Sequence, residues 1–250
     1  MDKSAVVLVT GCNGGLGQVL CREFRAAGFL VMGTDLQAKS VTLCDFYYHC
    51  DHLELVSDIG VQRSLQGAVG MFLNEHKATL KAVINNAAYQ LVKPLSDLSI
   101  SDFNDTQQVN LVAPYTFAHL FEALLRKAQG SIVNIGSIHS KLSKPGFCAY
   151  STSKAALSGL TRALALEFAG EVTVNCILSA AIQTEMLVSG FKDNPEKYDE
   201  LASYHPAGRI AAPEEVARLA LFLCSENARF ITGSDIPIDG GIGSRLHDPA

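Results

Sequence analysis

Short apolar runs alternate along this chain with longer stretches in which apolar residues recur every three or four positions. The runs are "AVVLVT" (5–10), "FLVMGTD" (29–35), "LELVSDI" (53–59), "KAVINNA" (81–87), "GSIVNIGS" (130–137), "VTVNCIL" (172–178) and "SDIPID" (234–239). Each is short and rich in β-branched residues, so each predicts a strand. Runs that are apolar on both faces suit a parallel sheet covered from both sides. Helical spacing occupies 15–28, closed by Gly28, and then 61–76, 99–128, 150–169 and 213–225. This alternation predicts a doubly wound parallel α/β sheet with helices on both faces. No repeat, linker or low-complexity tract divides the pattern, so residues 1–250 read as one domain.

Composition narrows the function classes. The chain is 48% hydrophobic and 18% charged, with a net charge of −5. That balance argues against nucleic acid or an anionic membrane as a partner. No apolar run approaches the ~20 residues of a membrane span. No basic stretch precedes an apolar one at the start, so a cytoplasmic protein is expected. The seven cysteines are odd in number and form no CxxC pair, which points to reduced thiols. The stretch "CDFYYHCDH" (44–52) fits no zinc spacing and reads as a surface loop between two strands; no metal is expected.

The first strand runs into "TGCNGGLG" (10–17), which opens the first helix. A strand, a glycine turn and a helix N-terminus make an anion site, because free N–H groups and the helix dipole face the ligand. Gly11, Gly15 and Gly17 let the backbone approach a pyrophosphate, with Asn13, Gly14 and Leu16 completing the loop. The second strand ends at Asp35, where a carboxylate accepts from ribose hydroxyls. Asp58 and Ile59 close the expected third strand and Asn86, Ala87 and Ala88 the fourth, all at carboxyl ends where such sheets bind ligands. A nucleotide-binding, Rossmann-type sheet follows. Asp35 would repel the 2′-phosphate of NADP, and no arginine or lysine stands near enough to offset it, so NAD is the expected cofactor.

A second centre lies in "AYSTSKAALSGL" (149–160). Tyr150 and Lys154 are four residues apart and share one helix face. An ammonium beside a phenol lowers its pKa from ~10 and lets it exchange a proton nearer neutrality.

With these features in order, the sequence resembles the short-chain dehydrogenases/reductases, in their single-domain branch of about 250 residues. "TGCNGGLG" resembles the family's TGxxxGxG loop, "NNAA" its NNAG with Ala88 replacing glycine, and "YSTSK" its YxxxK pair. The stretch 205–241, from "HPAGR" to "IDGG", resembles the family's C-terminal region. The resemblance implies a catalytic set of Asn110, Ser137, Tyr150 and Lys154. In it Tyr150 is the general acid/base, Ser137 polarises the substrate oxygen, Lys154 also holds the nicotinamide ribose, and Asn110 supports a proton relay. Tyr150 and Lys154 thus count among the cofactor contacts, and Ile182 and Thr184 match the positions that hold the carboxamide. The usual Pro-Gly before them is replaced by Ser179 and Ala180.

The implied activity is an NAD-dependent interconversion of an alcohol and a carbonyl on a small polar molecule. Ser137, His139, Tyr150, Gln90 and Gln183 are its candidate substrate contacts, and 185–206 is a candidate substrate-binding loop. Reduction of a 3-oxoacyl thioester on a carrier protein is one alternative; binding of NAD(H) as a sensor, without turnover, is another. The family also implies a homotetramer or homodimer. Apolar residues on several faces of the helices around 111–128 and 150–169 mark the expected interface.

Overall fold

The computed structural model describes residues 4–41 and 43–246. Its strands are β1 (Ala5–Thr10), β2 (Leu30–Asp35), β3 (Phe46–His49), β4 (Thr79–Asn85), β5 (Ser131–Ile135), β6 (Thr173–Ser179) and β7 (Asp235–Ile238). They form one parallel sheet in the order β3-β2-β1-β4-β5-β6-β7. The helices are α1 (Gly15–Ala26), α2 (His52–Ser57), α3 (Ile59–Glu75), α4 (Ile100–Gln107), α5 (Ala113–Ala128), α6 (Cys148–Glu167), α7 (Glu185–Gly190), α8 (Pro195–Ser203) and α9 (Pro213–Leu223).

Alternate residues of β1 serve opposite layers, as strand geometry requires. Val6 and Leu8 join Phe72 of α3 and Phe117, Phe121 and Leu125 of α5 in one buried cluster. Val7 and Val9 join Leu20 and Phe24 of α1 and Val216 and Ala220 of α9 in the other. Every strand of the sheet's middle is therefore apolar on both faces, which is the doubly wound arrangement. The chain steps outward from β1 to β3 and returns to place β4 beside β1. That reversal opens a crevice at the carboxyl ends of β1 and β4, where such sheets take ligands.

Two expected elements differ. "LELVSDI" is no strand: 52–57 is α2, and the third strand is Phe46–His49, inside the stretch read as a loop. The Asp51 carboxylate accepts from the Leu53 amide and starts α2; the Asp58 carboxylate accepts from the Gly60 amide and starts α3. Two N-caps in succession break the apparent strand. β3 lies at the sheet edge and is only half-buried, so it lacks the apolar run that marks its neighbours. The long helical pattern at 99–128 is also interrupted. A π turn, Gln108–Val112, separates α4 from α5 just before Pro114.

The helices expected at an interface are only partly free. Phe117, Phe121, Leu157 and Phe168 are buried, whereas Leu120, Leu124 and Leu164 are half-buried beside the core.

Candidate active site

The glycine loop is shaped by contacts that admit no side chain. A Cβ on Gly17 would lie 2.0 Å from the Gly11 carbonyl oxygen, and Gly11 itself holds φ +64 with Ala87 Cα 2.8 Å from where its Cβ would stand. The loop is tied to the end of β4 by reciprocal bonds. Thr10 Oγ1 accepts from the amides of Asn86 and Ala87, both at 3.0 Å, and Asn86 Nδ2 donates to the carbonyls of Thr10 and Gly11. Helix α1 begins at Gly14, which has no side chain to cap it, and its first turn carries no acid. The first-turn N–H groups are thus left for an anion, as a pyrophosphate requires.

A cleft of about 880 Å³ opens here. Its walls include Gly11, Asn13, Gly14, Gly15, Leu16 and Gly17 from the loop, Asp35 from β2, and Asn86, Ala87 and Ala88 after β4. Asp35 is already oriented: Oδ2 accepts from the Asn13 amide at 3.0 Å and Oδ1 from the Gln37 amide at 3.2 Å. The Asn13 side chain reaches further, donating to Gln37 Oε1 and the Lys39 carbonyl and accepting from the Val41 amide. It straps the 36–41 loop beside the carboxylate, an interaction the sequence pattern did not reveal.

Asp58 and Ile59 do not reach the cleft. They sit exposed between α2 and α3, and Asp51 and His52, which follow the true third strand, take the expected place in its wall. The error follows from the misplaced strand. Ile182 lies half-buried and pairs in a bridge with Ala211, and Thr184 packs over the loop with its Cβ 2.8 Å from the position of a Gly15 Cβ. Ser179 is the last residue of β6, and the Ala180 amide donates to the Ile238 carbonyl at 3.4 Å. A proline-free corner thus lets the β6–β7 ladder run one step further.

The other candidates gather past Ala88, around α6. Ser137 lies close enough to Tyr150 for its hydroxyl to bear on the phenol's pKa. Lys154 lies one turn on, with Nζ 5.7 Å from the Tyr150 ring centre. It is buried and donates to the Ile135 carbonyl at 2.7 Å. Burial pushes its pKa down to about 8. The Asn110 side chain, also buried, grips the Tyr89 backbone: Oδ1 accepts from its amide at 2.7 Å and Nδ2 donates to its carbonyl at 3.0 Å. Asn110 Nδ2 also donates to Ser153 Oγ at 2.9 Å, and Ser153 in turn donates to the Tyr150 carbonyl.

The electrostatics differ from the expectation drawn from spacing. Burial pushes the Tyr150 phenol above its ordinary value, and the opposing influence is the Ser137 hydroxyl rather than Lys154. Lys154 is directed at β5, and its charge is diverted to a backbone carbonyl.

A buried polar ladder, invisible to periodicity, fixes α6 against the sheet. Asn85 Nδ2 donates to Asn134 Oδ1 at 2.8 Å, and Asn134 Nδ2 donates to Thr161 Oγ1 at 2.9 Å. Gly136 lets the end of β5 lie close against β6, since a Cβ there would stand 2.5 Å from Cys176 Sγ.

Of the candidate substrate contacts, His139 stacks on Phe147 at 4.6 Å between ring centres and meets Tyr150 edge-on at 5.9 Å. Gln90 and Gln183 are exposed; Gln183 lines a neighbouring hollow with Thr184, Glu185 and Lys192. Among the described residues no group of acidic, histidine or cysteine side chains is placed to hold a metal, and no helix is long and apolar enough to cross a membrane.

Known proteins share this fold. The family described as enoyl-(acyl carrier protein) reductase matches residues 11–243. Protein FixR of Bradyrhizobium diazoefficiens is 35% identical over 246 residues, covering 94% of this chain and 86% of its own. The 3-oxoacyl-[acyl-carrier-protein] reductase FabG of Pseudomonas aeruginosa is 30% identical over 243 residues, covering 95% of this chain and 96% of its own. The solved structure of ElxO with NADP bound superposes with a TM-score of 0.84 at 26% identity, over 98% of this chain and all of that one (100%).

The chain belongs to the short-chain dehydrogenase/reductase family. It is thus an oxidoreductase of a family that binds a nicotinamide cofactor, and the loop and cleft above fit such a group.

Proposed function

We propose that this oxidoreductase interconverts an alcohol and a carbonyl on a small polar substrate, with NAD(H) as coenzyme and Tyr150 as general acid/base. The observation that carries the reading is that Ser137, just past the carboxyl end of β5, lies beside Tyr150 and its hydroxyl opposes the rise that burial imposes on the phenol. Two hydroxyls so placed can both meet one substrate oxygen. Tyr150 gives its proton to that oxygen in reduction or removes one in oxidation, while Ser137 donates to the same atom as charge develops on it. The nicotinamide supplies or accepts the hydride when bound. Lys154 keeps a positive charge one helical turn behind the tyrosine, and the nicotinamide ribose is its proposed partner when the coenzyme binds. Asn110 holds the Tyr89 backbone and, through Ser153, the first turn of α6.

The coenzyme reading rests on Asp35. Its carboxylate is held toward the cleft by Asn13 and Gln37, and it would face the 2′-phosphate of NADP as a like charge. We place the protein in a reducing, cytoplasmic setting, where seven reduced thiols persist. We place the substrate under residues 185–206, and an oligomer interface along the half-buried leucines of α5 and α6; a monomeric mass by light scattering would remove the latter.

The test is a panel of alcohols and ketones with each coenzyme, followed by NADH absorbance. Turnover that requires Tyr150 supports the reading; coenzyme binding with no turnover anywhere on the panel favours a sensor. A second reading, reduction of a 3-oxoacyl thioester, is favoured by the likeness to FabG. Acetoacetyl thioesters belong in the same panel.

A further inference from the structure

Residues 36–41 follow Asp35, begin in the cleft wall with Leu36 and Gln37, and form neither strand nor helix. Such a loop must find partners for its backbone outside itself. One buried side chain supplies several of them. Asn13 is 7% exposed. Its Nδ2 donates to the Lys39 carbonyl at 3.0 Å and to Gln37 Oε1 at 3.2 Å. Its Oδ1 accepts from the Val41 amide at 2.9 Å and from the Cys12 thiol at 3.8 Å. A side-chain amide offers two N–H groups and two lone pairs, so Asn13 is fully engaged within the protein and keeps none for a ligand. From the other side, β3 holds the same loop: Tyr47 Oη donates to the Gln37 carbonyl and His49 Nε2 to the Leu36 carbonyl at 3.0 Å.

The wall so built leaves a 2′-phosphate no donor. The Asn13 and Gln37 amides already serve the Asp35 carboxylate, and Asn13 Nδ2 serves the loop. Lys39 is the first basic residue after Asp35, and the strap holds it by its carbonyl. A phosphate is bound where several N–H groups or a cation converge on it. We propose that Asn13 is a specificity-determining residue whose side chain never touches the coenzyme: by tying Gln37, Lys39 and Val41 to the glycine loop it keeps the wall beside the adenosine ribose closed, so that NADP is excluded by a shut loop as well as by the Asp35 charge. With the strap cut, the Gln37 side chain, the Val41 amide and the Lys39 ammonium are released to turn toward a phosphate. The role in selectivity rests on the NAD(H) reading above; the strap itself does not.

The test measures hydrogen exchange at the Val41 amide, and the dissociation constants of NADH and NADPH by fluorescence titration. The proteins compared are wild type, Asn13→Ala, Asp35→Ala and the double variant. Exchange at Val41 should quicken about tenfold in Asn13→Ala. NADPH should bind this variant about tenfold more tightly than wild type, while NADH weakens by no more than about threefold. Adding Asn13→Ala to Asp35→Ala should narrow the NADH preference by a similar factor, about tenfold, because the loop and the charge act separately. A side chain that merely supported the fold would, when lost, weaken both coenzymes alike. Val41→Pro removes the amide that Asn13 accepts from and leaves Asn13 in place, so it should shift the preference in the same direction. If Asn13→Ala does not fold, the coenzyme ratio of Val41→Pro decides. Unchanged Val41 exchange in Asn13→Ala overturns the proposal, as does equal weakening of both coenzymes. A narrowing that vanishes on the Asp35→Ala background also overturns it, since Asn13 would then act only by orienting Asp35. A wild type that prefers NADPH overturns the coenzyme reading and this role together, whereas an NADH preference that survives Asn13→Ala overturns this role alone.

Discussion

The two ends of the cleft are built from different parts of the polypeptide. At the β1–α1 end the ligand-facing groups are mostly backbone, and the sequence acts by leaving side chains out: Gly14 cannot cap α1, and Gly17 lets the loop fold against the Gly11 carbonyl. At the α6 end the groups are side chains, each set by a specific partner: Lys154 by the Ile135 carbonyl, Asn110 by the Tyr89 backbone and Ser153, with Ser137 beside Tyr150. A backbone site tolerates loss of a neighbouring side chain but not gain of a methyl group. A side-chain site responds in the opposite way. Substitutions therefore separate the two ends.

The largest effect is expected at the side-chain end. Tyr150→Phe removes the proton and keeps the ring, so turnover should fall by ~10²–10⁴-fold while NADH binding persists. A variant retaining a large fraction of wild-type turnover would show that the proton comes from elsewhere. At the backbone end, Gly17→Ala puts a methyl 2.0 Å from the Gly11 oxygen. The loop must shift, and NADH affinity by fluorescence titration should weaken by about 10- to 100-fold, with a lowered Tm. Equal binding by this variant would mean that the loop does not hold the coenzyme.

A smaller effect tests the side chain that the backbone end does use. Asp35→Ala should narrow the ratio of kcat/KM for NAD over NADP by about tenfold, since it removes a like charge from the 2′ position. A wild-type preference for NADPH would contradict the coenzyme assignment outright. The smallest effect is on stability against pH. Burial pushes His52 down to about 4, against the pull of the neighbouring Asp51 and Asp35 carboxylates. An unfolded imidazole titrates near ~6.5. As pH falls from there through about 4, the unfolded chain takes up a proton that the folded chain refuses, so stability should decline over that window. Tm measured across it should slope less in His52→Gln than in wild type.

Legibility followed the same division. The glycine loop was readable because a glycine constraint is local: the residues that must lack a Cβ stand within eight positions, between a strand and a helix. Tyr150 and Lys154 were readable because one helical turn sets their relation. Asp51 and His52 were missed, and Asp58 and Ile59 chosen in their place, because an edge strand buried on little of its surface gives no apolar run. The aspartates that cap α2 and α3 were the available signal, since each precedes a free helix start.

By itself the sequence determined the strand and helix alternation, the parallel sheet, the glycine loop with its acid at Asp35, and the shared face of Tyr150 and Lys154. All of these are set within a few turns of chain. Tertiary structure alone decided where the charges point. Lys154 lies on the tyrosine's face of α6, yet its ammonium is drawn to a carbonyl of β5, nineteen residues earlier. Local pattern records which groups are near in the chain; a buried polar atom bonds to whatever the fold brings within ~3 Å, and burial makes leaving it unpaired too costly to ignore.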